Sequence, residues 1–533
     1  MFSRSAVSTA LTVGIVLIIV IASIAAFAVA DRSQNISTVW ASSNLSAGGF
    51  SATRMISTSA FQALANNPGL SGLTVQSYNM TVPLQYQSQY SSVQNLLNQF
   101  NSSLGSVPSS QNSFTYATEL LPANGNQGPT LFNPNNLNSV QTNLNALKSM
   151  GVKGVTIALG YPLLDPSFPN STQYLQYFKT VVSMCHQEGF TVDIESQVLF
   201  ANTQYSPLTF NWSNLSYSDY VVNHIAQDNL ICSQIKPDIL EIGVEADTEA
   251  YLTGYTQLDT PSGWTAYINQ LLDGIDKNGT ELAAGAGDWL KNPTQWVQGF
   301  VNNPNLDFIS THSYPLVSPF LSNLISLGQF AKENSKRLVL DEEWDTKILQ
   351  PVNSDGGGGY GGPAATQQDV FSYWIPIDIE FQQLMAKFCQ IYPCEYLSPF
   401  DGNYYFFAYL TWNPQLDAQT FFQLHDILNP TISQDMANFT ISPTGDAYAA
   451  LSLATTSPTP TPVFTTTPTA IPTATPTPSP SSTVLSPAPS FTPSPSVPEF
   501  PDQLLITVVV SVILVLPLIV TGMKRIIYKS NKT

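Results

Sequence analysis

The sequence predicts an α/β fold in which a (β/α)8 TIM barrel occupies residues 113–455. The first observation is a regular alternation of short apolar runs with longer amphipathic runs, at roughly 30–50 residues per unit over seven to eight units. The second is that no glycine-rich phosphate-binding fingerprint follows the first strand, which excludes a dinucleotide-binding fold. A closed barrel therefore fits the repeat better than an open, doubly wound sheet.

Seven strands follow from runs of apolar and β-branched residues. They cover residues 113–118, 153–159, 190–196, 238–244, 281–287, 306–312 and 337–342. The eighth strand is either 396–400 or 405–410. Helical periodicity between the strands covers residues 135–150, 171–187, 217–235, 262–277, 318–334 and 366–389, and a helix over 444–453 closes the barrel.

The segments that flank the barrel have a different composition. Residues 31–112 are rich in Ser, Asn and Gln, and we interpret them as an N-terminal extension that packs partly on the barrel, with one helix at 89–100. Residues 456–502 are rich in Pro, Thr and Ser and have almost no charge. Such a composition has too little apolar surface to form a core, so we expect a disordered stalk.

Apolar segments at both ends predict attachment to a membrane. Residues 1–30 contain an uncharged span long enough to cross a bilayer, either as an N-terminal anchor or as a signal peptide that is removed. Residues 503–523 are a predicted transmembrane segment, and the basic tail 524–533 is expected in the cytoplasm. Arg4 places the N-terminus on the same side. The barrel is thus expected outside the cell, at its surface.

The C-terminal segment also resembles a known sorting signal. The order of Pro498-Glu499-Phe500, an apolar span and a basic cluster is similar to the PEF-type signals of archaeal surface proteins. This resemblance is confined to the C-terminal segment. It implies a sortase-like processing enzyme as a partner.

Charge and aromatic content restrict the classes of ligand. The chain has 36 acidic and 18 basic residues, for a formal net charge of −18, which makes a nucleic-acid partner unfavourable. Only 10% of residues are charged and 11% are aromatic, a balance that suits a neutral ligand such as a sugar. No CxxC or His/Cys cluster indicates a structural metal, and no cofactor is expected.

Nine Asn-X-Ser/Thr sequons between the two terminal apolar segments predict a glycoprotein. They lie at Asn35, Asn44, Asn79, Asn101, Asn170, Asn211, Asn214, Asn278 and Asn438. Four cysteines are too few for a disulfide scaffold in a chain of this length. Cys389 and Cys394 are close enough in sequence to form a bridge, whereas Cys185 and Cys232 either pair or remain buried thiols.

Carboxylates stand where two predicted strands end. Glu245 directly follows the fourth strand, and Glu342 ends the seventh. Because the carboxyl ends of all barrel strands meet at one face, both side chains are expected in one pocket. Two carboxylates in one pocket are the minimum for cleaving a glycosidic bond. Alternation turns Glu343 away, although it remains the other candidate nucleophile. The alternative for Glu245 is a surface acid.

Further motifs resemble those of a large clan of retaining (β/α)8 glycosidases that includes cellulases, mannanases and endo-galactanases. The sixth strand ends in His312-Ser313-Tyr314-Pro315, and the segment 442–448 is similar to the start of the clan's last helix. The resemblance covers residues 113–453. It implies a hydrolase of neutral β-linked glycans, with Glu245 as acid/base, Glu342 as nucleophile, and His312 and Tyr314 as substrate-binding residues.

One position departs from the clan's pattern. The Asn that precedes the acid/base is Val244 here, which indicates an altered sugar subsite, a substrate that lacks this contact, or lost catalysis. The competing hypothesis is therefore a non-catalytic glycan-binding or cell-envelope protein on the same barrel. A solute-binding lipoprotein is a weaker alternative, because that fold has two lobes and a single anchor.

Other residues at strand ends are candidate sugar contacts. Glu195 and Gln197 follow the third strand, Trp289 the fifth and Trp344 the seventh. Glu119, at the end of the first strand, is a further candidate.

Overall fold

The computed structural model describes residues 73–108, 112–315, 320–347 and 369–454. Ten strands lie in these ranges: β1 (Thr74–Val75), β2 (Thr115–Tyr116), β3 (Gly154–Ala158), β4 (Thr191–Glu195), β5 (Ile239–Glu241), β6 (Glu281–Gly285), β7 (Phe308–Pro315), β8 (Arg337–Thr346), β9 (Cys394–Pro399) and β10 (Thr440–Ile441). Eight of them form one parallel sheet in the order β2-β9-β8-β7-β6-β5-β4-β3.

The sheet closes on itself next to β2. Leu120 N donates to Thr156 O of β3 at 2.8 Å, and Thr156 N donates to Thr118 O at 3.1 Å. These bonds continue the ladder beyond the two residues of β2 and complete the ring. The predicted (β/α)8 barrel is therefore confirmed. Its eighth strand is β9, which overlaps the first of the two predicted alternatives, whereas the second alternative is not a strand.

Helices separate the strands and cover the outside of the barrel. They are α1 (Gln87–Leu104), α2 (Asn136–Ser149), α3 (Ser171–Glu188), α4 (Tyr217–Leu230), α5 (Ala246–Thr253), α6 (Pro261–Gly274), α7 (Pro293–Val297), α8 (Phe320–Glu333), α9 (Ile375–Ile391), α10 (Gly402–Tyr405), α11 (Pro414–Asp417), α12 (Phe421–Ala437) and α13 (Pro443–Ala454). The helix predicted over 366–389 begins later, at Ile375.

The inside of the barrel changes from apolar to polar along the strands. An apolar layer lies near the strand starts and consists of Ala117, Ile239, Ala283, Phe308, Val339 and Tyr396. The next inward positions are polar and buried: Thr156, Asp193, Glu241, Ser310, Asp341 and Ser398. Because side chains alternate along a strand, one face of each strand supplies both layers. The polar layer lies toward the carboxyl ends, where barrels carry their sites.

The part of the predicted N-terminal extension that the structure describes lies against the barrel helices. Helix α1 buries Val93, Leu97, Phe100 and Leu104, a helical stripe that contacts α9 and α8. Upstream, β1 pairs in parallel with β10. The helix predicted at 89–100 is thus longer, and its apolar face explains why it adheres to the barrel.

The predicted N-terminal anchor or signal (1–30), stalk (456–502), transmembrane segment (503–523) and basic tail (524–533) lie outside the described residues. Within the described ranges, no helix combines the length and apolar character that a membrane span requires. The four cysteines are buried and not disulfide-bonded, and Cys389 Sγ lies 2.7 Å from Cys394 Sγ.

Candidate active site

A pocket with a volume of about 380 Å³ opens at the carboxyl ends of the barrel strands. Its acidic lining residues are Glu195, Glu245, Glu342 and Asp401. Aromatic side chains form much of the remaining wall: Phe200, Tyr205, Tyr314, Trp344, Phe400, Tyr404, Tyr405 and Phe421. Carboxyl groups set among aromatic rings are typical of sites that bind a polar ligand with apolar faces.

Glu245 lies where β5 gives way to α5. The chain leaves the strand after Glu241 and enters the helix at Ala246, so Glu245 is the N-cap position. Its side chain is buried, and Oε1 is 2.9 Å from His312 Nδ1. The alternative of an exposed surface acid does not hold, because the neighbouring Asp247 and Glu249 are buried as well.

A β-bulge in β8 directs Glu342 into the same pocket. Ser310 of β7 is paired with Val339 and His312 with Glu342, so β8 has one extra residue between these pairs. An extra residue reverses the alternation of side chains beyond it. Asp341 and Glu342 consequently both face inward. Glu343 is directed outward, where it is fully buried and lies 3.5 Å from Gln382 of α9.

Glu342 is held by two side chains of β7. Tyr314 Oη donates to Glu342 Oε2 at 2.5 Å, and His312 Nδ1 lies 3.4 Å from the same oxygen. Burial raises the pKa of Glu342, the charge of His312 and the Tyr314 hydrogen bond lower it, and Glu245 raises it. The net direction is upward. A carboxyl group with the same burial but without the contacts to His312 and Tyr314 would have a higher pKa.

His312 is the cation of the site. Burial would lower its pKa, but the carboxylates of Glu342, Glu245 and Asp341 raise it to about 10. The imidazole therefore carries a proton on both ring nitrogens at neutral pH. Its Nδ1 faces Glu245 and Glu342, and its Nε2 lies 3.6 Å from Asp341 Oδ1. Glu195 Oε1 lies 3.9 Å from the same Nε2, so one positive charge is shared by four acids.

The other predicted sugar contacts occupy different positions. Glu195 and Gln197 line the pocket, and the net effect of burial and of Glu342 is to raise the pKa of Glu195 well above its ordinary value. Glu119 is buried beside the pocket and accepts a hydrogen bond from Asn124 Nδ2 at 2.6 Å. Trp289 lies outside the lining, with its indole N–H 3.1 Å from Asp247 Oδ2.

Trp344 forms part of the pocket wall and stacks on Tyr405. The ring centroids are 3.5 Å apart and the planes are inclined by 10°. Lys347 supports this pair, with its Nζ 4.9 Å from the centroid of the Trp344 ring. The same Nζ lies 2.7 Å from Asp378 Oδ1 and 3.0 Å from Asp345 Oδ1. A buried ion network thus fixes the aromatic wall from behind.

Asp401 is a site residue that sequence reasoning missed. It comes after Phe400, the first residue beyond β9, has a left-handed backbone (φ 54°), and places its carboxyl in the pocket wall. Burial and the charge of Glu342 raise its pKa to about 7. An acid immediately after a strand is the same signal that identified Glu245. This signal was not recognised at Asp401, because two different segments were candidates for the eighth strand.

One group of side chains has the composition of a metal site. Ligand atoms of Glu195, His312 and Glu342 all lie within 4.8 Å of one another. Two of its members, His312 and Glu342, contact each other, and Nδ1 of His312 is also engaged by Glu245.

Comparison with known proteins gives only distant similarity. No family model matches the chain, and no curated protein matches it. Among solved structures, a GH5_18 protein from Bifidobacterium longum subsp. longum ATCC 55813 is 12% identical, with 64% of this chain and 79% of that chain covered and a TM-score of 0.41. An exo-β-1,4-mannosidase from Opitutaceae bacterium strain TAV5 is 10% identical (66% and 62% covered, TM-score 0.40).

A GH26 β-mannanase from Bacteroides ovatus is 11% identical, with 66% of this chain and 94% of that chain covered and a TM-score of 0.37. At these values the likeness carries no conclusion about family or activity. A functional conclusion has to rest on the arrangement of Glu245, Glu342, His312 and Tyr314 in the pocket.

Proposed function

We propose that this protein is a glycoside hydrolase that cleaves a β-linked glycan without acidic groups by a retaining, double-displacement mechanism. The observation that carries the proposal is the pair Glu245 and Glu342, which come from different strands and face one pocket. Both carboxylates contact the same nitrogen of His312. The four acids of the lining disfavour an anionic substrate.

The separation of the two carboxylates supports retention. Glu245 Oε1 is 2.9 Å and Glu342 Oε2 is 3.4 Å from His312 Nδ1, so these two oxygens are at most 6.3 Å apart. Retaining enzymes hold their carboxyl groups about 5–5.5 Å apart, whereas inverting enzymes leave about 6.5–9.5 Å for a water molecule. The distance fits direct attack by one carboxylate better than attack by an interposed water.

The contacts assign a role to each group. Glu342 attacks the anomeric carbon, and the bond to the leaving oxygen breaks as that oxygen takes a proton from Glu245. Water then gives its proton to Glu245 and displaces Glu342 from the sugar. Tyr314 donates a hydrogen bond to Glu342, and the charge of His312, whose Nδ1 lies 3.4 Å from Glu342 Oε2, favours the ionised carboxylate. The protonated His312 also fixes the position of Glu245.

The proposed location is the cell surface. It rests on the predicted terminal apolar segments, the Pro/Thr/Ser-rich stalk and the sequons of the sequence. In this arrangement the protein is a membrane-anchored glycoprotein whose barrel meets polysaccharides or oligosaccharides outside the cell. Processing by a sortase-like enzyme at the PEF-type segment would exchange or release the C-terminal anchor.

One observation favours a second function. Val244 is fully buried directly before Glu245, and its side chain offers no hydrogen bond to a sugar hydroxyl. A barrel that lost this contact without replacing it would bind a glycan and not cleave it. The second candidate is therefore a non-catalytic glycan-binding or cell-envelope protein.

Turnover by three glutamate variants of the full chain tests the proposal. Glu342→Gln removes the nucleophile and is expected to abolish cleavage while glycan binding persists. Glu245→Gln is expected to slow glycosides with poor leaving groups about 10²–10⁴-fold, and activated aryl glycosides far less. Glu343→Gln is the matched control, because Glu343 faces α9 and should leave turnover within about threefold.

The parent protein is first assayed on a broad panel of glycans and aryl glycosides. Parental turnover in both Glu342→Gln and Glu245→Gln would show that these residues are not the catalytic pair. Binding of a glycan without any cleavage by the parent would favour the second candidate.

A further inference from the structure

One part of the pocket wall is not used by the proposed chemistry. Asp401 and Glu119 lie near the ends of adjacent strands, β9 and β2. Burial raises the pKa of both carboxyl groups. The charge of Glu342 raises the pKa of Asp401 further, and the charges of Asp401 and Glu342 raise that of Glu119. Glu119 is almost fully buried and its Oε2 has no hydrogen-bond partner. Across the pocket, Glu195 Oε1 is likewise buried without a hydrogen bond.

Positive charge is scarce around these acids. No Lys or Arg lines the pocket in the part of the chain that the structure describes. The lining histidine, His425, is neutral at physiological pH because burial lowers its pKa to about 3. The cation His312 is already shared by Glu195, Glu245, Glu342 and Asp341. A ligand that brings its own positive charge would therefore be stabilised at Asp401.

We propose that Asp401 is a specificity-determining residue that binds the ammonium group of an amino sugar, so that the preferred substrate is a β-linked glycan with free amines. The proposal rests on the glycosidase function proposed above and names its substrate class. An ammonium supplies three donors and one charge to a carboxylate, whereas a hydroxyl supplies one donor and no charge. The proposed ligand is a sugar, as expected, but it is positively charged and not neutral as the low content of charged residues suggested.

The backbone at Asp401 makes a clean substitution available. A left-handed conformation is uncommon for non-glycine residues, but Asp and Asn both tolerate it. Asp401→Asn therefore keeps the shape and the backbone while it removes the charge. Asp219→Asn, at an exposed position in the first turn of α4, removes one charge far from the pocket and serves as the control.

Two probes of identical linkage test the proposal with the full-length protein: β-1,4-linked glucosamine oligomers and β-1,4-linked glucose oligomers. Calorimetry should show at least tenfold tighter binding of the glucosamine oligomers at pH 6. Asp401→Asn should remove most of that preference and change the affinity for glucose oligomers by less than about threefold. Asp219→Asn should leave both affinities unchanged, and thermal unfolding verifies that both variants fold.

A second measurement separates charge binding from a structural effect. Because the pKa of Asp401 is raised to about 7, binding of an ammonium near neutral pH should release a proton from the site. Calorimetry in two buffers of different ionisation enthalpy detects this release, which Asp401→Asn should abolish. Equal affinity for the two oligomers, or an equal loss for both in Asp401→Asn, would overturn the amine proposal. Cleavage of glucose oligomers by the same sample would leave the glycosidase function standing. An absence of binding to both oligomers would also overturn the amine proposal.

Discussion

Replacement of Lys347 by methionine should destabilise the protein more than any single change on its surface. The side chain is 1% exposed, and Nζ lies 2.7 Å from Asp378 Oδ1, 3.0 Å from Asp345 Oδ1 and 3.8 Å from Asp369 Oδ1. Burial would lower the pKa of Lys347, but the three carboxylates raise it above its ordinary value. Lys347 is therefore charged and compensates three buried acids.

The expected loss follows from the charges left behind. Methionine fills nearly the same volume, so little of the effect comes from a cavity. Removal of one partner from a buried ion pair costs about 3–5 kcal/mol because the remaining charge is buried without compensation. We expect at least this loss for Lys347→Met at pH 7, which is a large part of a typical stability of about 5–15 kcal/mol.

The loss should depend on pH. Burial and the neighbouring acids already place the pKa of Asp369 at about 7, and removal of Lys347 raises it further. A carboxyl whose folded-state pKa is raised contributes stability that is present at low pH and is lost as the pH rises. The deficit of Lys347→Met should accordingly shrink between pH 7 and pH 5, as these acids take up protons.

Urea unfolding at both pH values measures the effect, provided that the m-value stays constant. Lys148→Met is the matched control, because Lys148 forms an exposed ion pair with Glu188 at 2.9 Å, and such pairs contribute about 0–1 kcal/mol. A deficit for Lys347→Met no larger than that of the control, or one that does not shrink at pH 5, would refute the reasoning.

Three further predictions concern the fold and its chemistry. The free energy of unfolding should fall as the pH rises from about 5 to about 8. Burial raises the pKa values of Asp247, Glu249 and Asp288 to about 7, so these carboxyl groups lose their protons in the folded protein over this range, and the stability that protonation contributes is lost with them. The buried His224 and His425, whose pKa values are lowered to about 4 and about 3, act in the opposite direction, but they are two groups against three. A free energy of unfolding that rises over this pH range in urea unfolding would contradict the prediction. Under oxidising conditions Cys389 and Cys394 should form a disulfide, since their sulfurs are 2.7 Å apart; a non-reducing peptide map that shows only free thiols at both positions would disprove it. Deletion of residues 456–533 should leave a protein that unfolds cooperatively, because α13 ends at Ala454; loss of the thermal transition would argue against this.

The strands and helices were predictable because they depend on local periodicity. The runs that end at Glu195 and Glu245 have the composition of buried strands, and the closed ring places their ends together. The face on which a side chain lies is also predictable while the alternation is regular. His312 and Tyr314 follow this rule on β7: His312 contacts both glutamates, and Tyr314 contacts Glu342.

The bulge in β8 could not be predicted, because it depends on pairing with β7 and not on the residues of β8 alone. Strict alternation would place Asp341 and Glu343 on the same face. The structure instead places Asp341 beside Glu342 and turns Glu343 toward α9. The network around Lys347 was missed for a related reason: its acids come from positions 345, 369 and 378, which no sequence period connects.

Closure of the ring has a consequence for the order in which the molecule can assemble during synthesis. Thr118 Oγ1 donates to Pro399 O, which lies 281 residues later in the sequence. One edge of β2 therefore stays unpaired until β9 has been synthesised. During that interval the partial sheet has two free edges, which are prone to aggregate. Asp401, Tyr405 and Phe421 of the pocket wall are translated later still. The part of the pocket wall that these three residues form is thus made only after the strand that removes the exposed edges.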